Sequence, residues 1–133
     1  IMRGPGIPAG TKTAAMTSTI DLMPSIAKLA GVELKSNGPI DGKDMTSVMQ
    51  GSDESPRDEM IYCQAVGHLQ GFRKGDWKIR TQGKPQLFNL KDDVGEKNNL
   101  FMKMPEKFEE IKKRMLEVHG ALKKNQRKRG KAQ

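Results

Sequence analysis

Between residues 60 and 89 the chain adopts a short, strand-like rhythm broken by turn residues, and this limits the fold more than any other feature. Met60-Ile61-Tyr62-Cys63, Gln70–Arg73, Trp77–Arg80 and Gln86–Asn89 are β-type runs. Gly67, Lys74-Gly75-Asp76 and Gly83-Lys84-Pro85 separate them. Strands this short, with turn residues at this spacing, predict a small antiparallel sheet of about four strands. In a strand, Trp77 points opposite to Lys78, so Trp77 reads as a core anchor and Lys78 as a solvated charge.

Such a sheet has one face to cover, and Pro105–Lys124 is the obvious cover. Phe108, Ile111, Met115, Val118 and Leu122 recur at alternating spacings of 3 and 4, which makes one apolar helical stripe. Pro105 suits the first turn, and Glu106, Glu109 and Glu110 complement the positive end of the helix dipole. His119 falls off the stripe and reads as a helix-surface residue. The predicted fold class is α+β, with the sheet packed by this C-terminal helix.

The N-terminal part is organised differently. Ile1–Gly10 opens like the end of a strand and breaks into Gly/Pro turns. Residues 18–31 predict a helix, with a 3₁₀-like lead-in at Ile20–Met23, an α start near Pro24 and a left-handed cap at Gly31. Ile20, Met23, Ile26, Ala27 and Ala30 share one face, and nothing comparable in the chain is available to cover it. That face predicts a missing neighbour. Asp44–Gln50 predicts a short helix capped by Asp44 and stopped by Gly51.

The net charge of +8 belongs to one segment. Lys112–Lys131 holds nine basic residues and a single acid, Glu117, while residues 1–111 are balanced. Lys123, Lys124, Arg127, Lys128, Arg129 and Lys131 form a basic cluster that would attract polyanions. No aromatic residue interleaves it, so stacking on bases is not available and nucleic acid is disfavoured. Apolar residues make up 35% of the chain and nine methionines must share the packing. Cys63 stands alone, so no internal disulfide can form, and it reads as a small buried apolar group. No apolar run is long enough to span a bilayer. Ile1 in first place, with no secretory leader after it, reads as a chain cut from a longer one.

Five blocks, in order, resemble the last third of a formylglycine-dependent sulfatase of the alkaline-phosphatase-like superfamily. Ile1–Thr11 resembles the strand and loop that follow the catalytic lysine region. Residues 18–31 are similar to the next helix, and Ile40-Asp41-Gly42-Lys43-Asp44 to the "DG" segment. Phe72-Arg73-Lys74-Gly75-Asp76-Trp77-Lys78 resembles the "R-x-G-x-W-K" strand pair. Leu87-Phe88-Asn89-Leu90 with Asp92, Gly95, Glu96 and Asn99-Leu100 resembles the family's exit from the sheet. The likeness covers about residues 1–122.

The resemblance implies a division of the chain. Residues 1–51 would be the tail end of an α/β catalytic domain and 52–124 an antiparallel sheet and helix; 125–133, with no apolar residue except Ala132, reads from its composition as a basic disordered tail. The family's calcium ion and its Cys-derived formylglycine would lie upstream of Ile1, and no cofactor or metal is expected in this chain. Cys63 is followed by Gln64-Ala65-Val66-Gly67, without the Pro and Arg of a Cys-x-Pro-x-Arg site. No catalytic residue is therefore expected here, and the chain alone is predicted inactive. The partner would be the missing N-terminal catalytic domain, with a sulfate ester as substrate only in the parent.

His68 is read as a turn histidine, and the resemblance would let it line the substrate cleft. Asp92, Asp93 and Glu96 read as an Asx-type turn rather than a cation site, because the EF-hand spacing is absent. The resemblance implies a periplasmic, secreted or lysosomal protein. The alternative is a small basic module that binds nucleic acid or a sulfated polysaccharide through residues 123–131. Neither reading specifies the oligomeric state.

Overall fold

The computed structural model describes residues 1–36, 38–64 and 68–125. The chain divides into two compact units, Ile1–Asp58 and Glu59–Gln133.

In the first unit a 3₁₀ turn at Thr19–Asp21 leads into helix α1, Leu22–Leu29. The helix starts two residues before Pro24, which is tolerated because N–H groups of the first turn have no intrahelical acceptor. It ends in a Schellman motif. Gly31 takes φ 66°, its N–H donates to the Lys28 carbonyl, and the Val32 N–H donates to the Ala27 carbonyl. Helix α2, Thr46–Met49, is one turn long. Met45 rather than Asp44 precedes it, yet the Asp44 carboxylate still accepts the Thr46 N–H at 2.9 Å. Asp44 also takes the Lys28 ammonium at 2.5 Å, and these bonds pull its carboxyl down to about 2. Met45, Val48 and Met49 form a small core with Ala15 packed against it.

α1 buries the polar side of its sequence. Asp21 and Ser25 are fully enclosed, while Ile20, Met23, Ile26 and Leu29 are each about half exposed. The enclosed groups are saturated with partners, as burial requires. Asp21 Oδ2 accepts the Ser18 N–H at 2.7 Å and Arg57 Nε at 3.0 Å. Asp21 Oδ1 accepts the Lys43 N–H at 2.7 Å and also Arg57 Nη2. The Ser25 hydroxyl donates to the Asp21 carbonyl at 2.6 Å and accepts the Met45 N–H at 2.8 Å. One carboxylate thus ties the start of α1 to the loop before α2 and to Arg57. Gly42 lies so close to this junction that an added Cβ would sit 2.1 Å from the Ile20 carbonyl oxygen.

The second unit is a meander of β1 (Glu59–Cys63), β2 (Leu69–Lys74), β3 (Trp77–Arg80) and β4 (Gln86–Asn89). All neighbours pair antiparallel in sequence order. Helix α3, Pro105–Lys124, covers one face. Phe72, Ile79 and Leu87, one each from β2, β3 and β4, meet Phe108, Ile111 and Met115 from the helix stripe. Each of these side chains contributes about 1.5–3 kcal/mol by leaving water. Trp77 packs at the border of this core, as strand alternation predicts. Farther along α3 the stripe thins, with Val118 partly buried and Leu122 38% exposed.

The sheet departs from regular pairing at both of its edges. The β1–β2 register shifts between Tyr62 and Cys63, so Gln70 is an extra residue without a partner on β1. Cys63, at the end of the shifted strand, is exposed and not the buried group its sequence context predicted. Along the outer edge of β4, Asn99 Oδ1 accepts the Leu87 N–H at 3.0 Å, and the Leu87 carbonyl accepts the Leu100 N–H at 2.8 Å. The Asn-Leu pair of the sheet exit therefore closes the β4 edge. At the opposite side, Arg114 of α3 holds Glu59 of β1 through Nε and Nη2, at 2.7 and 3.0 Å. That fork holds the Glu59 carboxyl below its ordinary value.

Candidate functional site

The sheet face opposite α3 carries the alternate residues of each strand. Tyr62, Gly71, Lys78 and Arg80 project there, with Arg73↔Lys78↔Phe88 in cross-strand register. A groove of about 510 Å³ opens on this face, lined by Tyr62, Gln70, Gly71, Lys78, Arg80, Gln82, Gly83 and Glu96. The bulge adds Gln70 to its lining. Gly71 keeps its floor low, since a Cβ there would meet the Ile79 carbonyl oxygen at 2.3 Å.

One wall of the groove is fixed by an ion pair that the sequence did not reveal. Glu96 adopts φ 53°, rare for a residue with a side chain. It does so inside a loop held by Asp93, whose carboxylate accepts the Lys97 and Asn98 N–H groups at 3.1 and 2.7 Å. The same two bonds keep the Asp93 carboxyl below its usual value. Asp92 accepts from the Asn89 amide at 2.7 Å. The acidic run is thus a hydrogen-bonded turn, as its spacing predicts. From this loop Glu96 Oε1 reaches Lys78 Nζ at 2.5 Å, and the ammonium stands 4.9 Å from the centre of the Tyr62 ring. Lys78 is therefore half-buried and paired, not a freely solvated charge. The Arg80 side chain, across the groove, makes no ion pair or hydrogen bond among the described residues.

The residues singled out by sequence lie apart from one another. His68 is exposed just before β2, and its carbonyl accepts the Gln64 N–H at 3.0 Å. Lys123 and Lys124 are exposed on the last turn of α3, where positive charge suits the helix dipole. Arg127, Lys128, Arg129 and Lys131 lie outside the described residues. Among the described residues no three His, Cys, Asp or Glu side chains converge as metal ligands. No helix among them is long and apolar enough to cross a membrane.

No family profile matches the sequence. Curated proteins do. Bovine (Bos taurus) arylsulfatase A is 31% identical over 124 residues, covering 72% of this chain and 24% of that protein. Human steryl-sulfatase is 34% identical over 74 residues, covering 55% of this chain and 13% of that protein. A solved Pseudoalteromonas sulfatase superposes with a TM-score of 0.69 at 20% identity, over 88% of this chain and 28% of the other, which speaks for the fold. The chain belongs with the sulfatases, as a C-terminal portion.

This sulfatase portion spans about a quarter of the length of bovine arylsulfatase A. Its α+β fold, a four-stranded antiparallel sheet under a C-terminal helix with a helical segment before it, is the one expected from the sequence. The described residues offer no match for the calcium ion and formylglycine associated with the family. Cys63 lacks the Cys-x-Pro-x-Arg setting, and no carboxylate cluster in the described residues offers the six to eight oxygens calcium takes.

Proposed function

We propose that this chain is the structural and cleft-lining C-terminal part of a sulfuric ester hydrolase, and that the catalytic groups come from a preceding domain. The inverted packing of α1 carries the reading. Ile20, Met23, Ile26 and Leu29 stand between 48% and 57% exposed while the polar Asp21 and Ser25 are enclosed. A helix with its apolar stripe in water marks a surface that buries against a partner. Residues 1–51 then complete the edge of the α/β catalytic domain, and residues 52–124 form a subdomain beside it. His68, exposed just before β2, would face the non-sulfate part of a substrate. The placement of the parent would be periplasmic, secreted or lysosomal.

The test is aryl-sulfate hydrolysis with calcium present. The purified chain should give no turnover, and turnover should return when the upstream coding sequence is restored. Measurable hydrolysis by the chain alone would overturn the proposal.

A further inference from the structure

We propose that the outer edge of β1 pairs with the same edge of a second copy of this chain, joining the two sheets into one. The two edges of the sheet are not alike. On β4 the outward N–H and carbonyl of Leu87 are taken by Asn99 and Leu100. On β1 no group among the described residues plays that part. An open row of donors and acceptors is a template for another strand.

The register fixes which groups point outward. Lys74 and Trp77 flank the two-residue turn Gly75-Asp76, and a turn of that length makes its flanking residues a hydrogen-bonded pair. Alternation then turns the main chains of Arg73 and Gly71 toward their β1 partners, Met60 and Tyr62. Beyond the bulge the Gln64 N–H donates to the His68 carbonyl at 3.0 Å, so β1 keeps this alternation to its end. Glu59, Ile61 and Cys63 therefore turn their N–H and carbonyl groups away from the sheet.

These residues complement themselves. With a two-fold axis at Ile61, Ile61 lies opposite the second copy's Ile61, and Glu59 opposite its Cys63. Every outward residue of β1 is then used, and each pair exchanges two hydrogen bonds. Met60 falls opposite the second copy's Tyr62, a thioether beside an aromatic ring. An axis at Glu59 would instead set two carboxylates against each other. The Glu59 carboxylate does not bar the approach, because Arg114 holds it at 2.7 and 3.0 Å and Lys74 stands 3.7 Å away. The pairing is isologous, and with Leu87 already satisfied on β4 it ends at two copies. A contact of so few residues is small, so the association is weak.

The experiment is sedimentation equilibrium of the full 133-residue chain, with Cys63 kept reduced, joined to amide hydrogen exchange. A dimer should form toward the upper end of a range from about 10 μM to about 1 mM. In that range the Glu59, Ile61 and Cys63 amides should exchange about fivefold more slowly than in dilute solution, while Met60 and Tyr62, bonded already within the sheet, should not change. Cys63→Pro removes an N–H that serves no bond in the single copy, so it should keep the sheet and abolish the dimer. Ile26→Glu, on the exposed apolar side of α1, should leave the dimer intact. A single copy at every concentration overturns the proposal. So does a dimer that Ile26→Glu dissolves, or one that Cys63→Pro leaves intact. A dimer whose β1 amides exchange as fast as in dilute solution overturns it as well, whether or not the proline variant folds.

Discussion

Arg57 grips both oxygens of the Asp21 carboxylate, through Nε at 3.0 Å from Oδ2 and through Nη2 to Oδ1. The Asp21 side chain is fully buried and that of Arg57 only 10% exposed. Replacing such a pair by apolar groups can be harmless, but removing one member leaves an uncompensated charge. Arg57→Ala should therefore cost about 3–5 kcal/mol of stability in the first unit. Denaturant unfolding followed by amide exchange within residues 15–50 measures it. An unchanged midpoint would show that the pair holds nothing.

The same carboxylate sets an acid limit. Burial opposes its ionisation, but the hydrogen bonds from Arg57, Lys43 and Ser18 outweigh burial and keep its pKa below the ordinary value. As pH falls, the unfolded chain therefore takes up the proton first. The stabilisation is complete above the ordinary carboxylate range and is lost as pH drops below about 4 toward the lower folded-state value. Stability of the first unit should fall across that window, and Asp21→Asn should flatten the fall while lowering stability at neutral pH. Thermal unfolding at a series of pH values reads both.

Two glycines should respond with opposite sign to the same change. Gly71→Ala would press a Cβ to 2.3 Å from the Ile79 carbonyl oxygen, within the β2–β3 pairing. The strands must separate there, at a cost of about 1–3 kcal/mol. Gly120 lies inside α3 with nothing near its missing Cβ. Gly120→Ala should stabilise by about 0.5–1 kcal/mol, because alanine loses less backbone freedom on folding. Urea midpoints of the two variants check the pair.

The exposed stripe of α1 gives a test of the missing neighbour. Ile26 is 57% exposed, so Ile26→Glu should leave the stability of the isolated chain within about 0.5 kcal/mol. In the longer protein it should prevent the catalytic portion from accumulating in soluble form. Equal soluble yields of the two long forms would remove α1 from the interface.

The basic segment predicts salt-sensitive retention on a sulfated polysaccharide resin. Deleting residues 125–133 together with Lys123→Gln and Lys124→Gln should abolish that retention, and raising salt should weaken it steeply in the parent chain. Retention that survives the deletion would assign it elsewhere.

The strands were legible to within a residue or so because glycine and proline turns punctuate them, and α3 because its stripe repeats over about four turns. Other features left no periodic trace. Asp21 binds the nearby Ser18 N–H, but nothing in sequence announces a partner 36 positions away at Arg57. Alternation correctly sets Lys78 opposite Trp77, yet its pairing with Glu96 depends on a left-handed backbone in a loop. The bulge at Gln70 adds an unpaired residue to β2 that no turn signal marks, and Gln70 lines the groove, while Cys63 is exposed where β1 ends.

Asn99 has a consequence for how this protein meets others. Its side chain takes the one amide that Leu87 turns outward, and Leu100 takes the matching carbonyl. A foreign strand arriving at β4 finds no free rung at Leu87 on which to begin a ladder. The sheet stops itself on that side, and a newly made chain is spared one route to amyloid-like growth while it waits for its partners.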